Sequence, residues 1–372
     1  MKRRIERAQR LMTELGLDMA VISDPKSVYY FTGFLTSRPI RTDSYLLLSK
    51  NRSSILFTGS TEVPFAEKTF GGEIATYVNY DLNKRMVPYP DFVTSELKKF
   101  LHSNKYSAGT LGIESWSIPQ ILMQAITSET SPGSVADLSQ RILGLRMIKD
   151  PDELEHIRRS CELGDFAYSI ASSQSVPGKS EVEVYSFIHQ ELAKKVGTFQ
   201  FFAGDFVSGE RSLQVGGPPS PRILRKGETF ITDLWITTKS YFTDTSRTFV
   251  VGHEPSAEQE HAMEVLKQVI TSGEDKLRPG VKASDVYKAV LHAVTDAGYK
   301  KYFPHHAGHC IGLEPQEPPF FIPGCQDELA EKMVCTLEPG LYIPEIGGMR
   351  IENNYLITSH GFEQLSKFPV AL

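Results

Sequence analysis

Cysteine is scarce in this chain: four residues in 372, Cys161, Cys310, Cys325 and Cys335, with no C-x-x-C pair among them. That is too few for a disulfide scaffold and indicates a reducing compartment, the cytoplasm. Long apolar runs are missing as well. None approaches the roughly 18 residues of a membrane span, so no membrane-embedded part is expected. Positive charge is in deficit, with 40 lysines and arginines against 45 acids and a formal net charge of −5. Without a basic field, nucleic acid is not expected as a partner. The N-terminal stretch MKRRIERAQRLMTELGLD is basic, but it lacks the apolar segment and small-residue cleavage site of a secretion signal and reads as an amphipathic first helix. What the chain does have is length. Single cores stop growing at about 250–300 residues, so two domains are expected.

The first domain shows strand-length apolar runs, MAVIS at 19–23, SYLLLS at 44–49, SSILF at 53–57 and TLGIE at 110–114, bordered by Gly, Ser or Asp. Their alternation with helical stretches suggests an α/β layer. A strong helix start follows. Asp150 can cap, Pro151 suits the first helical position, and Asp152 and Glu153 oppose the positive end of the dipole. Leu154, Ile157, Cys161 and Tyr168 then share one face. A domain boundary at 146–150 follows from this. Further on, VPGKSEVEVY at 176–185 and RPGVKASDVY at 278–287 echo each other, each a Pro-Gly break with a Ser before an acidic helical turn. Ser180 and Glu183 form a capping box there, and Gly298 stops the later helix. The echo marks either two similar halves or a chance recurrence of a common turn.

Chemistry concentrates in the second part. In TDLWITTKSYFTDTSRTFVVG, residues 232–252, two acids sit in an apolar hairpin. A turn at Thr238-Lys239 would place Asp233 and Asp244 directly opposite each other on one face. Facing carboxylates repel unless a proton or a cation lies between them, or unless both project into solvent. Next, FPHHAGHCIGLEPQEPPF carries His305, His306 and His309 within five residues, more imidazole than a loop normally needs for packing. At least one of the adjacent pair His305 and His306 has to turn away and serve structure. Two later strand-like runs, CTLEPGLYIP and MRIENNYLIT, hold Glu338 and Glu352. Each of these acids taken singly is an ordinary strand residue.

In order, however, they resemble a known family. Asp, ten residues, Asp, then Gly-His, Leu-Glu-Pro-Gly and Arg-Ile-Glu is similar to the pita-bread metallopeptidases: prolidase, aminopeptidase P, methionine aminopeptidase and relatives. PKSVYYFTGF at 25–34 and LRMIKDPDELEHIRRSCELGD at 145–165 extend the likeness to the prolidase, aminopeptidase P and creatinase branch. The resemblance implies an α/β (α+β) fold. A creatinase/prolidase-like N-terminal domain is expected over residues 1–147 and a pita-bread catalytic domain with two pseudo-symmetric halves over 148–372. It implies that Asp233, Asp244, His309, Glu338 and Glu352 hold two divalent metal ions. Charge counting agrees, since two such ions balance four carboxylates. Oxygen donors with one imidazole favour Mn²⁺, with Co²⁺, Fe²⁺ or Zn²⁺ as alternatives. Glu338 is then the proton acceptor, and His305 matches an outer catalytic histidine.

Two other outer histidines are absent. Gly216 stands where the family carries one before the first aspartate, and Gln316 stands where a His-Glu pair usually follows the ligand histidine. Together with Arg350 of the Arg-Ile-Glu motif, these are assigned to substrate binding. A glycine would leave room, and a glutamine can donate a hydrogen bond but cannot deliver a proton. The implied activity is metal-dependent hydrolysis of a peptide or amide C–N bond by activated water, of the Xaa-Pro dipeptidase or aminopeptidase type. The alternative is a non-peptidase acting on a small zwitterion, like ectoine hydrolase, creatinase or a dimethylsulfoniopropionate lyase. A homodimer is implied too. Arg38 and Arg41 either reach a partner's pocket to hold a carboxylate or are surface arginines.

Overall fold

The computed structural model describes residues 1–35, 44–50, 52–78, 91–198 and 201–372. Arg38 and Arg41 lie outside these residues. The chain divides into two compact units, Met1–Arg146 and Met147–Leu372. Among the described residues, no helix is long and apolar enough to cross a membrane.

The first unit runs α1 (Lys2–Glu14), β1 (Met19–Ile22), α2 (Pro25–Thr32), β2 (Tyr45–Ser49), β3 (Arg52–Gly59), α3 (Val63–Ala66), β4 (Glu73–Tyr77), α4 (Asp91–Ser103), β5 (Thr110–Ile113), α5 (Gln120–Thr130), β6 (Ser134–Asp137) and α6 (Ser139–Met147). Its sheet has the order β4-β3-β2-β1-β5-β6. The β1–β2–β3 meander is antiparallel, whereas β4, β5 and β6 join in parallel through helical crossovers. The four apolar runs are central strands, with Val21, Leu47, Phe57 and Leu111 packed on Leu97 and Ile126. The two edge strands, GluIleAlaThrTyr and SerValAlaAsp, are too polar to stand out in the sequence.

The second unit places two helices before antiparallel strands, twice. In the first half, α7 (Pro151–Gln174) and α8 (Glu181–Val196) precede β7 (Phe202–Ser208), β8 (Thr229–Thr238) and β9 (Tyr241–Val250). In the second, α9 (Ala257–Glu274) and α10 (Ala283–Asp296) precede β10 (His309–Cys310), β11 (Glu317–Phe320), β12 (Val334–Leu337), β13 (Gly340–Ile343), β14 (Gly347–Arg350), β15 (Asn353–Ile357) and β16 (Phe362–Gln364). The Pro-Gly echo therefore marks the second helix of each half. Capping boxes start α7, from Asp150 and Glu153, and α8, from Ser180 and Glu183. By contrast α10 begins after Lys282 with no side-chain cap, and Ser284 lies inside its first turn. Each half has its own core: Ile188, Leu192, Phe206, Phe230 and Leu234 in one, Leu266, Val269, Val290, Leu337 and Tyr355 in the other.

The β8–β9 hairpin turns one residue later than its sequence suggests. Lys239 and Ser240 both take positive φ, 49° and 66°, the turn conformation that matches strand twist. Asp244 therefore faces Trp235 and Asp233 faces Ser246. The expected direct Asp233–Asp244 pairing is thus corrected to a diagonal one. Because the offset is two residues, both acids stay on one face.

One buried acid in the first unit makes a stability prediction. Glu114, at the end of β5, accepts the Ser23 and Asp24 N–H groups at 2.8 and 2.9 Å where β1 passes into α2. Burial pushes its carboxyl up from the ordinary 4.5 to about 7. Between these values the folded chain keeps a proton that the unfolded chain has released. The stability contribution is therefore full below about 4.5 and falls by about 3 kcal/mol as pH rises to 7. Denaturant unfolding of wild type and Glu114→Gln across this window should show the wild type losing stability relative to the variant. A pH-independent difference would refute the assignment.

Candidate metal centre

The acids of the first half are placed by strand register. Asp233, in the middle of β8, lies directly between Asp205 on β7 and Ser246 on β9. In the second half, His309 starts β10, Glu338 follows β12, and Glu352 joins β14 to β15. Gly308 lets this segment approach, because a Cβ there would run into the Thr336 carbonyl. Glu338 then donates its N–H to Ala307 O at 3.0 Å.

The two halves are joined by backbone and buried polar groups. Ser246 and Glu352 exchange backbone hydrogen bonds of 3.0 and 3.4 Å. Asn354 accepts the Asp244 N–H and the Thr243 hydroxyl at 3.2 and 2.7 Å and donates to Asp244 O. Arg247, fully buried, donates to Glu352 O at 2.7 Å, to Asn353 Oδ1 at 2.8 Å and to Phe368 O at 2.6 Å. The acids therefore meet because the strands carrying them are fastened together, not because they attract one another.

Ligand-type atoms of Asp244, His309 and Glu352 all lie within 4.8 Å of one another. His309 Nδ1 is 3.0 Å from Cys310 O. Donation there leaves the Nε2 lone pair facing inward, 3.2 Å from Glu338 Oε1 and 3.7 Å from Asp244 Oδ2. Among the described residues, Asp233 Oδ1 and both Glu352 carboxylate oxygens are buried and find no hydrogen-bond donor. Buried oxygens of this kind are costly unless something else satisfies them.

The electrostatics point the same way. Burial, followed by the charges of Asp233 and Glu338, raises the Asp244 carboxyl well above its usual range. Burial and then the charge of Asp244 do the same to Glu352. Burial lifts Asp233 to about 6 against the lowering effect of Arg350. Burial also works to raise Glu338, but His309, His306 and His305 outweigh it and hold this carboxyl at about 2. Protons alone can relieve such crowding, and so can cations. The inward oxygens without hydrogen bonds, the imidazole with its free lone pair and the balance of charge all fit two divalent ions.

The residues expected outside the ligand set fall out differently. His305 is turned to Tyr342, with 2.9 Å between Nε2 and the hydroxyl, and burial pulls it down to about 4. His306, which sequence reasoning left open as the structural member of the pair, has Nδ1 3.3 Å from Glu338 Oε1 and stays partly exposed. Gln316 is exposed, while its neighbour Glu317 is buried in an ion pair of 3.0 Å with Lys149. The expected room at Gly216 is not there: a Cβ at this position would overlap the Asp205 carboxylate. Arg350 needs a correction as well. Its Nε donates to Ser246 Oγ, Nη1 to Val215 O and the Tyr342 hydroxyl, and Nη2 to Asp205 and Asp233. All five N–H groups are used within the protein. Asp205 and Tyr342 are the residues that sequence reasoning missed, and His306 is the one it left without a role.

Such a fold and cluster define a metallohydrolase. Residues 155–359 match metallopeptidase family M24, and residues 4–148 match the creatinase/prolidase N-terminal domain. The chain belongs to metallopeptidase family M24. It is similar to an uncharacterized peptidase of Staphylococcus aureus (strain USA300), with 30% identity over 352 residues, 94% of this chain and 95% of the relative. It is also similar to the putative dipeptidase YkvY of Bacillus subtilis (strain 168), with 30% identity over 368 residues, 98% of each chain. Among solved structures, the prolidase from Pyrococcus horikoshii OT3 superposes with a TM-score of 0.86 at 27% identity, covering 100% of this chain and 99% of that one.

Metal should therefore stabilise this chain strongly. Manganese at a thousandfold excess over its Kd should add about 4 kcal/mol to the unfolding free energy. Glu352→Gln should lose most of that gain. Without metal, the same variant should be about 1 to 3 kcal/mol more stable than wild type, because a crowded buried acid has been removed. Thermal unfolding with a chelator and with added manganese measures both effects, and a wild type indifferent to manganese would contradict the assignment.

Proposed function

We propose that this chain is a metal-dependent dipeptidase of the Xaa-Pro type, in which Asp233, Asp244, His309, Glu338 and Glu352 hold two divalent ions. The observation that carries this reading is the convergence of buried acid oxygens lacking hydrogen bonds on the inward nitrogen of His309. Hard oxygen donors with a single imidazole favour manganese. The relatives named prolidase and dipeptidase supply the substrate class, a small peptide. A homodimer in the cytoplasm completes the reading.

Bound in this cluster, two divalent ions supply the Lewis acidity that amide hydrolysis requires at neutral pH. The side chains provide the rest. Glu338, whose Oε1 lies 3.2 Å from His309 Nε2 and 3.3 Å from His306 Nδ1, is the proton acceptor for the attacking water. His306 faces the Glu338 carboxylate from a partly exposed position and is placed to pass the proton on toward the leaving amine. His305 and the Tyr342 hydroxyl hold each other at the wall of the site.

A second reading, hydrolysis or elimination on a small zwitterion, is favoured by the acid that fills the space beside Gly216 and by the exposure of Gln316. Turnover by the manganese-loaded protein separates the two. Alanyl-proline should be cleaved, whereas a longer proline-second peptide, creatine, ectoine and dimethylsulfoniopropionate should not. Glu338→Gln should abolish cleavage, and Gln316→His should raise peptide kcat by about tenfold or more if a missing proton donor limits the rate. Turnover of a zwitterion without peptide cleavage would establish the second reading instead.

A further inference from the structure

Asp205 is a carboxylate of this region that belongs to neither the ligand set nor the proton path. It stands on β7 directly opposite Asp233 on β8. Like charges facing each other across strands repel. Here a single nitrogen separates them, since Arg350 Nη2 donates to Asp233 Oδ2 at 2.8 Å and to Asp205 Oδ2 at 3.3 Å. The other Asp205 oxygen accepts the Gly217 N–H at 2.9 Å. The second arm of Arg350 holds Val215 O, in a turn where Val215 is forced to φ 72°. A β-branched residue rarely adopts that conformation unless its surroundings fix it. The turn 215–217 is therefore held at both ends by Asp205 and Arg350, and it delivers Gly216 to the place where only a residue without a side chain fits over the Asp205 carboxylate.

Charge accounting gives this arrangement a purpose. Two divalent ions balance the four ligand acids and leave the buried Arg350 cation over. Unopposed, that guanidinium would compete with metal for Asp233. Asp205 is its counter-charge.

We propose that Asp205 is a positioning residue for the metal centre: it neutralises Arg350 and fixes it in a geometry that leaves Asp233 free to bind metal, and Gly216 is required because Asp205 occupies that space. The proposal rests on the metal-centre reading above. It makes positions 205 and 216 one unit that acts through Arg350.

The test reads metal binding directly, by titrating the full-length, metal-stripped chain with manganese in a calorimeter. Asp205→Asn keeps the size and the acceptor for Gly217 while removing the charge, and Gly216→Ala keeps the charge but pushes the carboxylate off Arg350. Each should weaken manganese binding by about tenfold, as lost supporting contacts to metal ligands typically do. In an Arg350→Met background, Asp205→Asn should have no further effect. Should Arg350→Met fail to fold, the two single variants still decide, because unchanged manganese affinity in both overturns the proposal. Equal weakening by Asp205→Asn with and without Arg350 also overturns it, showing a through-space charge effect with no role for the guanidinium. A wild type that takes up two manganese ions while its variants bind equally well sinks this inference alone. A wild type that takes up none sinks the metal-centre reading, and this inference with it.

Discussion

Carboxylates do not collect inside a protein of their own accord, and the second unit of this chain is organised around forcing four of them together. Asp233, Asp244, Glu338 and Glu352 are buried around the imidazole of His309, and burial drives three of them toward the protonated form. The force that holds them comes from elsewhere. The hairpin brings two acids onto one face, and the backbone bridge between Ser246 and Glu352 joins the halves. Arg247 and Asn354 then satisfy the polar groups that this junction buries. Fold stability is in effect spent on a cluster that only cations can make comfortable.

The same economy of charge explains Arg350. A guanidinium against a metal ligand looks like a flaw in a site meant for cations. It makes sense as the piece that lets β7 and β8 carry facing aspartates, and it anchors the loop bearing Gly216 and Val215. On the proposed reading, the site has an inner set of donors that would hold the ions and an outer set that settles the remaining charge.

Much of this was legible from residues alone, for identifiable reasons. Five ligand-type residues stand in motifs whose order does not depend on loop geometry, so Asp233, Asp244, His309, Glu338 and Glu352 could be grouped from sequence, and the structure places them around one another. The hairpin partly failed. Thr238, Lys239 and Ser240 include no Gly, Asn or Asp to mark which pair turns, so the pairing slipped, but the odd separation of the two acids kept them on one face whichever turn was used. Asp205 was not legible, because a lone acid in PheAlaGlyAspPheVal reads as a solvent-facing strand residue and its link to Gly216 runs through an irregular loop. The sequence matched His305 to the outer catalytic histidine and left His306 without a role, because the backbone direction that turns His305 to Tyr342 and His306 to Glu338 is a property of the loop. The edge strands β4 and β6 escaped because edges need little apolar surface.

The contact between Arg247 and the Phe368 carbonyl joins residues that are far apart in the order of synthesis. Asp233 and Asp244 leave the ribosome more than a hundred residues ahead of Phe368, yet the guanidinium that ties their hairpin to Glu352 finds its last acceptor only there. Without that carbonyl, Arg247 would lack one of the acceptors that fix it between the halves. On the proposed reading, the cage for the ions is complete only once residues of both halves are in place. A nascent chain that met metal early would have only part of a cage to offer it.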